Sequence, residues 1–245
     1  MGNANVSNVT IRPEEAEFFS DLARDWWNPN GKMASLHQVN PVRMEFIRAA
    51  IDAHWGGDSR SIRPLTGKTA LDIGCGAGLV CEPLARLGAK VTGVDASAEN
   101  ISVAATHAEA SELDIRYMAG EVGGLDIGTF DLVTCVEVIE HVADKRAFLS
   151  NVVDRLAPGG LLVMSTPNRT AASRLLLVGA AEAVGYVPKG THDWNDFITP
   201  EEFEELLGEI GLEVVKRRGI SYALGKGLHL SGNESLNYIL SARRI

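Results

Sequence analysis

The stretch Leu71-Asp72-Ile73-Gly74-Cys75-Gly76-Ala77-Gly78 decides the fold. Residues 69–73 are apolar and run straight into glycines, which predicts a short buried strand ending at a tight turn. Three glycines at alternate positions let the backbone turn sharply and carry no Cβ to hold a ligand away. Residues 79–87 regain helical character and stop at Gly88, a natural helix end. A second strand, residues 90–94, ends on Asp95, about 20 residues after the turn, where dinucleotide folds keep a ribose-binding acid. Strand, glycine turn, helix, strand and acid together form a unit that binds a nucleoside-like ligand.

Detail in the turn selects the ligand class. A nicotinamide fingerprint, Gly-x-Gly-x-x-Gly, needs its third glycine at position 79, which is Leu79. Here the third glycine is Gly78, and a carboxylate, Asp72, stands just before the turn. A pyrophosphate wants backbone N–H groups at a helix start and is repelled by a carboxylate. A ligand with an ammonium group and no phosphate is attracted by one. S-adenosyl-L-methionine has that character, and the pattern resembles the first motif of Rossmann-like methyltransferases that use it.

Bulk properties narrow the partners. A chain of 245 residues with 45% apolar content is enough for one large α/β domain. A net charge of −9 argues against nucleic acid as a partner, because neutralising phosphates needs a basic surface. Cys75, Cys81 and Cys135 have neither metal-type nor redox spacing, so a reducing cytoplasm is expected. Neither a signal peptide nor a bilayer-spanning apolar run is expected.

Outward from the turn, residues 1–12 read as a disordered tail and residues 13–57 as an N-terminal helical arm. Pro13 opens the arm's first helix, which carries Phe18 and Phe19 towards Trp26-Trp27, two tryptophans expected to anchor the arm on the main domain, with direct ligand contact as the alternative. A second helix is predicted to start at Pro41 under an Asn40 cap. That places Arg43 near the positive end of a helix, where an anionic ligand would account for it and an exposed ion pair with Glu45 is the alternative. Residues 58–245 form the main domain. Further strands are expected at 115–118, 130–136, 161–166, 212–217 and 237–243, with helices at 98–112, 144–156 and 200–210. The expected fold is a Rossmann-like seven-stranded, mostly parallel sheet with an antiparallel last strand near the edge and helices on both faces.

The fourth strand runs into Val136-Glu137-Val138-Ile139-Glu140-His141. If a helical turn begins there, Glu137, Glu140 and His141 fall at i, i+3 and i+4 and converge on one face, beside the ligand at the carboxyl end of the strands. Two carboxylates and an imidazole suit a divalent cation such as magnesium. A pair that packs, or that orients a substrate without metal, is the competing reading. If the acceptor is a phenol of pKa about 10, ionising it at pH 7 costs roughly 4 kcal/mol, which a cation or a base must offset. Either role suits His141.

Residues 167–199 are longer than a plain crossover. Residues 174–187 are strongly apolar, too short to span a bilayer, and suit a core helix, a roof over an apolar substrate, or a segment dipping into a membrane surface. Arg169, Arg174 and Lys189 would give it local positive charge, and His192 in the following loop is a candidate substrate contact. Six segments together resemble the ubiquinone biosynthesis O-methyltransferase family: Trp26-Trp27 with Gly31, Leu36-His37-Gln38-Val39-Asn40-Pro41-Val42-Arg43, the 71–78 turn, Glu137-Val138-Ile139-Glu140-His141, Ser165-Thr166-Pro167-Asn168-Arg169, and Val187-Pro188-Lys189-Gly190-Thr191-His192-Asp193-Trp194. The glycine turn is common to the superfamily, whereas the flanking segments are specific.

The resemblance implies methyl transfer from S-adenosyl-L-methionine to catechol-type hydroxyls of a polyprenyl-hydroxyphenol and of demethylubiquinol. It implies cofactor contacts by Arg43, Gly74, Asp95 and the backbone at Val136, to which the reading of the turn adds Asp72 and Gly76. It implies metal ligation by Glu137, Glu140 and His141, with Glu140 and His141 acting on the acceptor. A polyprenylated catechol or quinol is then the expected partner, with membrane contact through residues 169–189 and a quinone-biosynthesis complex as further ones. Rival expectations are another small phenolic acceptor, or a cofactor-binding subunit without catalysis.

Overall fold

The computed structural model describes residues 12, 17, 20, 22–176 and 193–245. The expectations for the Pro13 helix, Phe18, Phe19, Lys189 and His192 fall outside them. A sheet of eight strands organises the chain: β1 (Thr69–Ile73), β2 (Lys90–Asp95), β3 (Ile115–Ala119), β4 (Phe130–Val136), β5 (Leu156–Pro167), β6 (Leu212–Ala223), β7 (Gly227–Ser231) and β8 (Asn237–Arg244). Their order is β3-β2-β1-β4-β5-β8-β6-β7. The first five pair in parallel, and β8 runs antiparallel between β5 and β6.

Two expectations are corrected. The sheet has eight strands, because β6 runs on past the expected residue 217 to Ala223 and folds back as β7. The last strand is interior rather than at the edge, and burial of residues 238–242 reflects that place. Strand alternation shows why the sheet sits between two helical layers. Leu71, Val133 and Leu162 pack under α4 (Lys145–Asp154) and α5 (Pro200–Glu209). Their neighbours Ala70, Leu132, Leu161 and Val163 pack under α1 (Ala34–Trp55) and α2 (Cys81–Arg86). Burial of a large side chain such as Phe148 of α4 contributes roughly 2–3 kcal/mol. The remaining long helix, α3 (Ala98–Ala110), buries Ala104 and Ala108 and is capped by Ser97, whose hydroxyl accepts from the Asn100 N–H.

The second arm helix also departs from its signal. Pro41 lies inside α1, which begins at Ala34 without a side-chain cap. Packing of Met33, Phe46, Ile47 and Ile51 outweighs the one backbone bond that the proline forgoes. Asn40 is therefore no cap; its amide donates to the Leu79 carbonyl at 2.7 Å. Arg43 stands in mid-helix, so the helix dipole is not what makes its charge unusual. Its burial is.

Candidate active site

The glycine turn does what its composition demands, with an addition. Gly74, Gly76 and Gly78 all have positive φ, at 68°, 53° and 89°. The space a Cβ would need at each is filled by a side chain from elsewhere: Val138, the Trp26 ring and the Tyr117 hydroxyl, each 2.3 Å from that position. The turn is thus fixed by backbone conformation and by close packing of three distant segments.

Asp95 closes the turn. Its Oδ2 accepts from the Gly76 N–H at 2.8 Å, and Oδ1 accepts from the Ser97 N–H and the Asn100 amide at 2.9 and 3.2 Å. Burial raises its pKa, and those donors oppose the rise. Asp72 lies deeper, 2% exposed. Its oxygens accept from the Thr134 hydroxyl at 2.7 Å and the Cys81 thiol at 3.3 Å. Burial pushes its pKa up to about 7, against the pull of those two bonds. Cys75 and Cys81 are buried free thiols beside it, pushed up by burial and so kept protonated and inert.

The segment after β4 is built differently. Glu137 has φ 56°, a conformation rare outside glycine and a local strain that functional sites often hold. Residues 137–141 therefore do not form the single helical turn the spacing suggested; only Ile139–His141 closes a 3₁₀ turn. Glu137 instead faces Arg43, the Ser165 hydroxyl and the Asn237 amide, at 3.2, 2.7 and 2.9 Å. Glu140 is 3% exposed, with Oε2 accepting from the Thr166 hydroxyl at 3.0 Å. Its Oε1 has no hydrogen-bond partner among the described residues, and His141 Nε2 stands 4.0 Å away. Burial and the charge of Glu137 raise its pKa to about 7, while His141 and Thr166 pull it down.

Along α1, His37, Asn40 and Arg43 fall on successive turns and hold three elements together: the Trp26 carbonyl, the Leu79 carbonyl and Glu137. Arg43 is 5% exposed, and its Nε–H has no partner among the described residues. The structure thus gathers Arg43, Glu137, Glu140 and His141 at the carboxyl end of β4, next to Val136 and the turn. Thr134, Ser165, Thr166 and Asn237 were not singled out as functional in the sequence. Ser165 and Thr166 lie in a resemblance segment, but only the pairing of β5 with β4 and β8 shows what they hold.

The insertion is described in part. Arg169 is paired with Glu202, so it does not supply the free positive charge expected of it. The Arg174 guanidinium lies over the Trp194 ring at 5.3 Å, and Leu175 and Leu176 are exposed. Among the described residues no helix is long and apolar enough to cross a membrane.

Known proteins resemble the chain at two levels. A family model described as a methyltransferase domain matches residues 57–217. A ubiquinone biosynthesis O-methyltransferase of Azorhizobium caulinodans is 43% identical over 239 residues, 96% of this chain and 94% of that protein. One of Rhizobium rhizogenes is 44% identical over 245 residues, covering 98% and 99%. Solved structures share the fold at lower identity. Magnesium protoporphyrin IX methyltransferase of Synechocystis PCC 6803 with bound SAH has a TM-score of 0.67 at 20% identity, covering 94% of this chain and 98% of that one. A SAM dependent methyltransferase of Aquifex aeolicus has 0.62 at 14%, covering 94% and 98%.

Proposed function

The chain belongs to the ubiquinone biosynthesis O-methyltransferase family, and we propose that it moves a methyl group from S-adenosylmethionine to catechol-type hydroxyls of a polyprenyl-hydroxyphenol and of demethylubiquinol. The observation that carries the reading beyond the family is Glu140: a buried carboxylate with one unpartnered oxygen, set beside His141 and one strand from the glycine turn.

The residues fit a cofactor of this kind. Asp95 presents a carboxylate fixed by three donors, suited to ribose hydroxyls. Arg43 keeps a buried, unpartnered N–H for a carboxylate. Asp72 sits under the turn as the complement of an ammonium group, acting through its field because both its oxygens are engaged. When bound, the cofactor supplies a sulfonium methyl group. The chain's task is to align an acceptor oxygen about 3 Å from that carbon and to take its proton. The transfer would form the O–CH3 bond as the C–S bond breaks, with that bond's electron pair left on sulfur. Glu140 Oε1, or His141 beside it, receives the phenolic proton. The raised pKa of Glu140 narrows its gap to a phenol of about 10, which makes the transfer less uphill.

A second reading adds magnesium, or another divalent cation, at Glu137, Glu140 and His141. The bare Oε1 of Glu140 and its crowding by Glu137 support it. Against it, Glu137 already takes bonds from Ser165, Asn237 and Arg43, and among the described residues no group of three such side chains is arranged to hold an ion. The steps above use no metal. Peripheral membrane contact through residues 169–189 belongs to the same reading and is supported by exposed Leu175 and Leu176 beside Arg174; residues 177–189 of that segment lie outside the described ones. Membership of a quinone-biosynthesis complex would follow from the pathway.

Turnover on a catechol with a short prenyl tail, run with and without a chelator, tests these readings together. Methyl incorporation at the hydroxyl in both arms supports the metal-free mechanism. Loss on chelation, restored by magnesium, favours the second reading. Transfer only to unrelated phenols contradicts the substrate assignment, and cofactor binding without any transfer would mark a non-catalytic subunit.

A further inference from the structure

Trp26 and Trp27 are adjacent indoles on the same arm, yet the fold treats them oppositely. Trp27 is fully satisfied. Its Nε1–H donates to the Ala77 carbonyl at 2.9 Å, and its ring stacks on His107 with centroids 3.4 Å apart and planes 3° from parallel. His107 in turn contacts the buried Glu82 of α2 at 2.5 Å. These contacts fasten the arm across the glycine turn.

Trp26 is 8% exposed, and its Nε1–H has no partner among the described residues. Its main chain is held, since its carbonyl accepts from His37 Nε2 at 2.7 Å. Its ring rests on Gly76, with carbon atoms 2.3–2.8 Å from where a Cβ would stand. The N–H of that same Gly76 is the group bonded to Asp95 Oδ2. A buried donor left without an acceptor is costly, and the indole N–H has no other way to be satisfied, being a donor only. Nothing in the fold forces the orphan: leucine or phenylalanine would fill the same apolar cluster of Leu22, Ala23, Met33, Ala77 and Leu79 without carrying an N–H.

We propose that Trp26 is a cofactor-contacting residue: it stays on the turn as one wall of the site, and its indole N–H donates to a ribose oxygen of S-adenosylmethionine, opposite Asp95. This rests on the reading that the turn holds that cofactor. Asp95 accepts from the ribose hydroxyls, whereas Trp26 offers a donor, so the two recognise the same sugar from complementary sides. Trp27 is the fastener that keeps Trp26 there.

Calorimetric titration of S-adenosylhomocysteine into the wild type and Trp26→Phe tests it. Phenylalanine keeps an aromatic ring on Gly76 and removes only the donor. The expected result is a five- to tenfold weaker Kd, about 1–1.4 kcal/mol, with the ligand-free variant melting no lower than the wild type, since the costly orphan donor is gone. An unchanged Kd overturns the proposal, while failure of the wild type to bind would overturn the cofactor reading instead. A readout on the wild type covers the case of a variant that misfolds. The chain has four tryptophans, so the Trp26 indole signal in a nitrogen-15 NMR spectrum is assigned by elimination with Trp27→Phe, Trp55→Phe and Trp194→Phe. On adding S-adenosylhomocysteine its N–H proton should move downfield and exchange more slowly with water. No shift, or faster exchange as the ring swings out, overturns the proposal.

Discussion

The glycine turn and the segment after β4 lie against each other, Val138 of one packing on Gly74 of the other, yet they are finished to different degrees. In the turn both oxygens of Asp72 and both of Asp95 have protein donors, and each glycine is covered by a side chain. After β4, Glu137 is held in a left-handed conformation, and Glu140 keeps one buried oxygen bare beside a second carboxylate. A site whose carboxylates are already satisfied can be rigid and still bind, and the group the turn leaves open is a donor, the Trp26 N–H. A site that must take a proton cannot be fully satisfied before its substrate arrives. On the proposed function the contrast divides the labour: the turn would hold the cofactor, and the segment after β4 would work on the acceptor.

The largest expected effect sharpens that division. Glu140→Ala removes the bare oxygen and should lower the methyl-transfer rate by 10²–10⁴, the usual range for a proton-transfer group, as read by single-turnover transfer of a labelled methyl. Next comes Gly76→Ala. With φ at 53° and the Trp26 ring against it, the added methyl forces either the backbone or the ring to move. Cofactor affinity should fall at least tenfold and stability by about 1–3 kcal/mol, while the rate at saturating cofactor stays within a few-fold. A variant that instead lost rate and kept affinity would break the comparison.

Asp72 gives a pH test of the turn. Its folded pKa, about 7, is raised by burial above the ordinary carboxylate value of 3.8. Below pH 3.8 the group is neutral in both states and costs nothing. As pH rises towards 7 the unfolded chain ionises it freely while the fold resists, so stability is lost through that window. Denaturant unfolding of the wild type and Asp72→Asn at pH 4 and pH 8 should show the wild type losing up to about 4 kcal/mol more between the two. Equal pH slopes would show that the carboxylate is better solvated than its burial indicates.

The smallest expected effect belongs to Ser165→Ala, which takes one donor from Glu137 and leaves Arg43 and Asn237 in place. The rate should fall three- to tenfold with cofactor affinity unchanged. Stability should drop by about 1.5–3 kcal/mol, as for other hydrogen bonds to a charged group.

What the sequence disclosed follows the same boundary. Residues 69–95 were legible because strand, turn, helix and acid are contiguous, and each obeys a local rule. The Glu137, Glu140 and His141 cluster was legible as a set of residue types but not as a geometry. The helical spacing fails because Glu137 adopts positive φ, which the sequence does not mark. Its partners Ser165 and Asn237 come from β5 and β8, brought together by a sheet order that cannot be read from spacing. Asn40-Pro41 misled in the opposite way: a strong local helix-start signal was overridden by the packing of Val42, Phe46, Ile47, Ala50 and Ile51 on one face of α1. Eight strands instead of seven arose where β6 continued past the polar run Lys216-Arg217-Arg218 to a turn at Leu224-Gly225-Lys226, where Gly225 and Gly227, both at positive φ, are the local signal for the hairpin to β7.

The dissociation constant of S-adenosylhomocysteine for Glu140→Ala tests the division of labour most directly. A value within twofold of the wild type, in a protein that has lost at least a hundredfold in methyl transfer, is the predicted result. A loss of affinity as large as the loss of rate would place Glu140 in the cofactor site and contradict the assignment.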